Sequence, residues 1–83
     1  MNVNRVSYGQ LVRLLLKLEF VSVQVRPKWK AYRHASSETI ILLPDRPENR
    51  TARDPEVISI RRHLVENALV HEHDFDQLLV EAA

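Results

Sequence analysis

The chain has 83 residues, of which 45% are hydrophobic and 28% charged, and a formal net charge of +1. That length holds one core and one domain over residues 1–83, and the small charge leaves any nucleic-acid affinity to a local basic patch. The lack of cysteine excludes disulfides, Cys-ligated zinc and a thiol nucleophile.

Elements follow from changes of period along the chain. Ser7 and Gln10 have the spacing of a capping box, and Leu11, Leu14, Leu15 and Leu18 form an apolar stripe, which predicts a helix from about Tyr8 to Leu18. From Phe20 the period becomes two: Val21, Val23 and Val25 alternate with Ser22, Gln24 and Arg26, as in a strand with one covered face. Pro27 and Lys28 make a turn, Trp29 to Ala35 a second strand, Ser36 and Ser37 a tight turn, and Glu38 to Leu43 a third strand closed by Pro44. The stretch DRPENRTAR, Asp45 to Arg53, is long and polar for a connection, which points to function or disorder. Asp54 followed by Pro55 predicts a capped helix start, with Val57, Ile60, Leu64, Val65 and Ala68 on the buried side. A short last helix is expected after Asp74, burying Phe75, Leu78 and Leu79.

The order helix, three antiparallel strands, helix, short helix is that of an α+β sandwich with helices on one face of the sheet. With two or four residues in the turn at Pro27, and two at Ser36 and Ser37, Val21, Val23, Val25, Tyr32, Ile41 and Leu43 meet the helices, with the Lys30 stem at their edge. Ser22, Gln24, Arg26, Trp29, Arg33, Ile40 and Leu42 then form the open face. A tryptophan between arginines suits stacking on a base or receiving a protein partner. It is also ordinary strand material, and an odd-length first turn would bury it.

Arg26, Lys28, Lys30, Arg33 and Arg46 are expected to converge at one end of the sheet, near Arg50 and Arg53, either to track a phosphate backbone or as a solvated loop balanced by Asp45, Glu48 and Asp54. The run His71 to Asp74, HEHD, carries metal-ligating residue types, but two histidines two apart before a helix are expected to form a polar turn. No metal or cofactor is expected. No apolar run reaches the ~18 residues of a membrane span, and the first residues lack the pattern of a signal peptide, so a cytoplasmic protein without a membrane partner is expected.

The run from about Val6 to Leu79 resembles HicA-type toxins, small mRNA-cleaving proteins of bacterial toxin–antitoxin pairs with this element order. In that family the second strand opens with Gly-Ser-His, often continuing as His, an aliphatic, an aromatic, Arg and His, and the third strand ends in Pro-x-His, usually followed by Pro. Here these positions read Pro27, Lys28, Trp29, Lys30, Ala31, Tyr32, Arg33, His34, and Pro44, Asp45, Arg46, Pro47. The frame is kept, while Trp29, Lys30 and Arg46 stand where the family has histidines.

The resemblance implies a fold like that of double-stranded-RNA-binding domains, with RNA or a HicB-like antitoxin as partner. A metal-independent ribonuclease needs a group titrating near neutrality to take the 2′-hydroxyl proton, which histidine supplies and tryptophan does not. His34 stands five residues from Trp29, about 16 Å along the strand, and faces the other way, so it is a poor substitute. The expected function is RNA or antitoxin binding with mRNA cleavage impaired or lost, through Arg26, Lys28, Trp29, Lys30, Arg33 and Arg46. Two alternatives stand beside it: a non-catalytic interaction module that keeps only the fold, and an active ribonuclease using other residues.

Overall fold

The computed structural model describes residues 6–82. Its elements are α1 (Tyr8–Lys17), β1 (Val21–Arg26), β2 (Trp29–His34), β3 (Thr39–Pro44), α2 (Asp54–Glu66), a 3₁₀ turn (Glu72–Asp74) and α3 (Phe75–Glu81). The strands form one antiparallel sheet in the order β1-β2-β3, so the fold is the expected α+β arrangement.

Each helix end has a local cause. Ser7 Oγ accepts from the Gln10 N–H at 3.0 Å while the Gln10 side chain accepts from the Ser7 N–H at 3.1 Å, closing the capping box that starts α1. At its other end Glu19 takes a left-handed conformation, φ 74°, and Phe20 N–H returns to the Leu15 carbonyl at 3.0 Å. Helix α2 ends the same way, with Ala68 at φ 59° and Leu69 N–H bonded to the Leu64 carbonyl. Ala68 is therefore past the helix and exposed, where the apolar spacing had put it on the buried face. The α2 cap lies one residue before the expected Asp54: the Arg53 N–H is held by Glu56 Oε1 at 3.0 Å.

Leu11, Leu14 and Leu15 of α1, Ile60 and Leu64 of α2, and Phe75 and Leu79 of α3 close over Tyr32, Ile41 and Leu43 of the sheet to form the core. Gln10 Nε2 and Arg13 Nε bind the Leu79 and Ala82 carbonyls, tying α1 to the end of α3.

The segment Asp45 to Arg53 is a strap across the start of α1. Its Arg50 and Glu48 carbonyls accept from Tyr8 and Gly9 N–H groups that α1 cannot satisfy itself, and Ala52 N–H binds the Val6 carbonyl. Arg13 reaches Glu48 at 3.0 Å, and Ala52 is buried. The length of this connection thus has a structural use. Among the described residues, no helix is long and apolar enough to cross a membrane.

Candidate functional site

The sheet has one covered and one open face, and the register decides which side chains each receives. Across β2 and β3 the ladder is regular, with Trp29 opposite Pro44, Ala31 opposite Leu42 and Arg33 opposite Ile40. Across β1 and β2 it is not: Arg26 pairs with Trp29, but Gln24 pairs with Lys30, leaving Val25 as an extra residue. A two-residue hairpin turn favours positive φ at its first position, which Pro27 cannot adopt, and neither Pro27 nor Lys28 has it. The bulge at Val25 adds the twist that this turn does not supply.

That one extra residue reverses the first strand. Val21 stands opposite Arg33 and Val23 opposite Ala31, on the open face, while Ser22 stands opposite the buried Tyr32 and Gln24 opposite Lys30. The expected burial of Val21, Val23 and Val25 beneath the helices is therefore corrected; Ser22 and Gln24 are exposed, but on the side away from Trp29. The side chain of Arg26 lies outside the described residues. Trp29, Arg33, Ile40 and Leu42 are on the open face as the strand period requires.

The result is a continuous apolar surface. Val21, Val23, Val25, Trp29, Ile40 and Leu42 each keep between 44% and 63% of their surface in contact with solvent. Ala31, the smallest side chain, lies at the middle of the central strand between Val23 and Leu42. Trp29 and Arg33 flank it on the same strand and face, about 13 Å apart at ~3.3 Å per residue.

The basic residues do not gather. Arg33 is at the far end of the sheet from Lys28, which lies exposed in the first turn. Lys30 faces the helix side, with its ammonium 3.9 Å from Asp45, and Arg46 is paired with Glu56 at 3.0 Å. Of the six residues singled out in the sequence, Trp29 and Arg33 share the open face and Lys28 borders it. Val21, Val23 and Val25 are the contributors that the alternating pattern concealed. The signal for them was Pro27 in a two-residue turn.

His34 is tied into the turn between β2 and β3. Its Nδ1 lies 2.9 Å from Ser37 Oγ and accepts from the Ser37 N–H, and its ring packs 5.2 Å from that of Phe20. It pairs with Thr39 on the face opposite Trp29. His63, His71 and His73 are exposed on α2 and the 3₁₀ turn. Among the described residues no three His, Asp or Glu side chains come together as a metal site.

Two phenols are buried: Tyr8 donates to the Pro44 carbonyl, and burial pushes the pKa values of both Tyr8 and Tyr32 above the ordinary tyrosine value. They stay neutral and anchor α1 and β2 behind the open face. No family model matches the chain, and neither a curated protein nor a solved structure matches it.

Proposed function

We propose that the protein is a non-catalytic binding module with a HicA-like frame, working in the cytoplasm, and that the open face of its sheet receives a protein partner. The observation that carries this reading is the apolar content of that face: six large hydrophobic side chains exposed together, with Arg33 as the charge among them. Interfaces between proteins concentrate aromatic, aliphatic and arginine side chains in this way and hold charge at the rim. A phosphate-tracking surface would instead keep its cations free, and here Lys30 and Arg46 face carboxylates.

A second reading, RNA binding, is favoured by Trp29 and Arg33 sharing the face with Lys28 beside it, since bases stack on indole and guanidinium planes. In both readings cleavage is weak or absent, because tryptophan stands where the HicA-like frame carries its general base. In the protein reading the partner class that the resemblance names is a HicB-like antitoxin.

One titration separates them. Purified protein is mixed with long single-stranded RNA while Trp29 fluorescence and RNA integrity are followed. The protein reading expects intact RNA and unchanged emission. A response that fades with added salt moves the assignment to RNA binding, and Trp29→Ala should then weaken it by about tenfold or more. Multiple-turnover cleavage that survives EDTA and is abolished by a change within this chain refutes the non-catalytic assignment.

A further inference from the structure

We propose that the occupant of the open sheet face is a second copy of this chain, packed face to face about a two-fold axis that crosses the strands at Ala31. This rests on the protein-binding reading of the face and names its partner.

Area is the first argument. The six exposed apolar side chains present roughly 600 Å² per copy, so two copies bury roughly 1,200 Å² from these residues alone, the lower bound for a stable interface. The same area is at the upper limit of what a monomer exposes in one patch. Two such faces stack at about 10 Å, as the layers of a β-sandwich do.

Charge then selects the axis. Lys28 lies exposed at one end of the sheet, where Lys30 and Asp45 offset each other on the covered side. Glu19 and Glu38 lie exposed at the other end, just before β1 and β3, and outnumber the cation Arg33 there. A two-fold axis between facing sheets must lie in the plane between them. Were it parallel to the strands, each Lys28 end would cover the same end of its partner, and like charges would meet. An axis across the strands reverses the partner, so that each Lys28 end lies over the Glu19 and Glu38 end.

The register supplies the rest. With the axis at Ala31, Trp29 of one copy lies over Arg33 of the other, an indole against a guanidinium, and this contact occurs twice. Val21 lies over position 26, beside the extra Val25, and Ile40 over Pro44, while Val23 and Leu42 each meet their own copies. The two alanines at the centre leave room for the indoles to lean inward. Arg33, which has no ion pair among the described residues, is thereby given a partner, which no flat apolar surface would offer it.

The test uses the full chain. Light scattering from micromolar to near-millimolar concentration should show a monomer becoming a dimer, with emission of the sole tryptophan, Trp29, moving to shorter wavelength in step. Leu42→Lys brings two ammonium groups together on the axis and should weaken the dimer by about tenfold or more. Because the chain has no cysteine, single-cysteine variants report geometry directly. Leu42 and Ile40 are equally exposed, at 58% and 56%, yet only Leu42 meets its own copy. Leu42→Cys should therefore couple with a short bis-maleimide several times faster than Ile40→Cys.

A monomer at every concentration overturns the proposal, as does a dimer unaffected by both Leu42→Lys and Val23→Lys, or one in which Ile40→Cys couples as readily as Leu42→Cys. A monomer whose Trp29 emission is unmoved by RNA overturns only the self-association. A monomer whose emission responds to RNA overturns the protein reading as well.

Discussion

Gly9→Ala tests the strap across α1 in a way that general helix rules would get backwards. Alanine in place of glycine inside a helix ordinarily stabilises by about 0.5–1 kcal/mol. Here a Cβ at position 9 would stand 2.9 Å from Glu48 Cβ, 3.1 Å from Glu48 Oε1 and 3.2 Å from Arg13 Nη1. The first of these is fixed close to the backbone and cannot swing away. Relieving it moves Glu48, whose carbonyl holds the Gly9 N–H at 2.9 Å and whose carboxylate holds Arg13.

Overpacking of this kind costs about 1–3 kcal/mol, which exceeds the propensity gain, so the net loss is about 1–2 kcal/mol. For a domain of this length that lowers Tm by about 5–15 °C. In a Glu48→Gly background the obstructing atoms are gone, and Gly9→Ala should now stabilise by up to about 1 kcal/mol. Thermal and urea unfolding followed by circular dichroism gives both legs of the cycle, with a coupling of about 1–3 kcal/mol. If Gly9→Ala stabilises the wild-type chain, the strap does not press on α1.

Glu19→Gly should raise stability by about 0.5–1 kcal/mol in urea unfolding, since glycine takes the left-handed φ of 74° without a Cβ penalty; an unchanged or lower midpoint would count against that cap. Val23→Lys, measured where the chain is monomeric, should change stability by no more than about 0.5 kcal/mol, because position 23 is half exposed on the open face; a loss of several kcal/mol would show that the side chain is covered. The raised pKa values of Tyr8 and Tyr32 contribute stability that is complete below the unfolded value of about 10 and is lost as pH rises beyond it, because the unfolded phenols ionise first. Urea midpoints should therefore fall above pH ~10, and a flat profile would exclude it. Tyr8→Phe should also cost about 1 kcal/mol at neutral pH by leaving the Pro44 carbonyl without its donor.

How much of this was legible in the sequence differs by element, and the reason is physical in each case. Ser7, Gln10 and the leucines of α1 act within one helix turn, so spacing alone located them. The faces of β2 and β3 followed from period two, because the ladder between them is unbroken. Strand β1 has the clearest alternation in the chain, and its faces came out reversed. Alternation fixes which residues share a side but not which side is covered; that depends on a turn and a bulge whose effect is one residue. The loop from Asp45 to Arg53 reads as polar and featureless because its main bonds are made by backbone carbonyls, which no residue type announces. The basic patch dispersed for a related reason: Lys30 and Arg46 find Asp45 and Glu56 only after the chain has folded.

The bulge at Val25 also links stability to concentration. With the regular register, Ser22 and Gln24 would stand among the apolar side chains of the open face. With the bulge, the valines of β1 stand there instead and join Trp29, Ile40 and Leu42 outside the core of an 83-residue chain. A domain of this size has little core to spare, and small folds commonly recover stability by association. If a second copy covers the face, that recovery follows mass action: the free energy of unfolding per dimer includes the association term, and Tm rises with protein concentration. A tenfold increase in concentration adds about 1.4 kcal/mol per mole of dimer, or about 0.7 kcal/mol per chain, which corresponds to roughly 3–5 °C in Tm. Scanning calorimetry at several concentrations measures this. Leu42→Lys should flatten the dependence without lowering Tm at the dilute end, since the side chain it alters is outside the core. A concentration-independent Tm over the range in which light scattering finds a dimer would mean that the contact forms elsewhere and leaves the valines of β1 exposed.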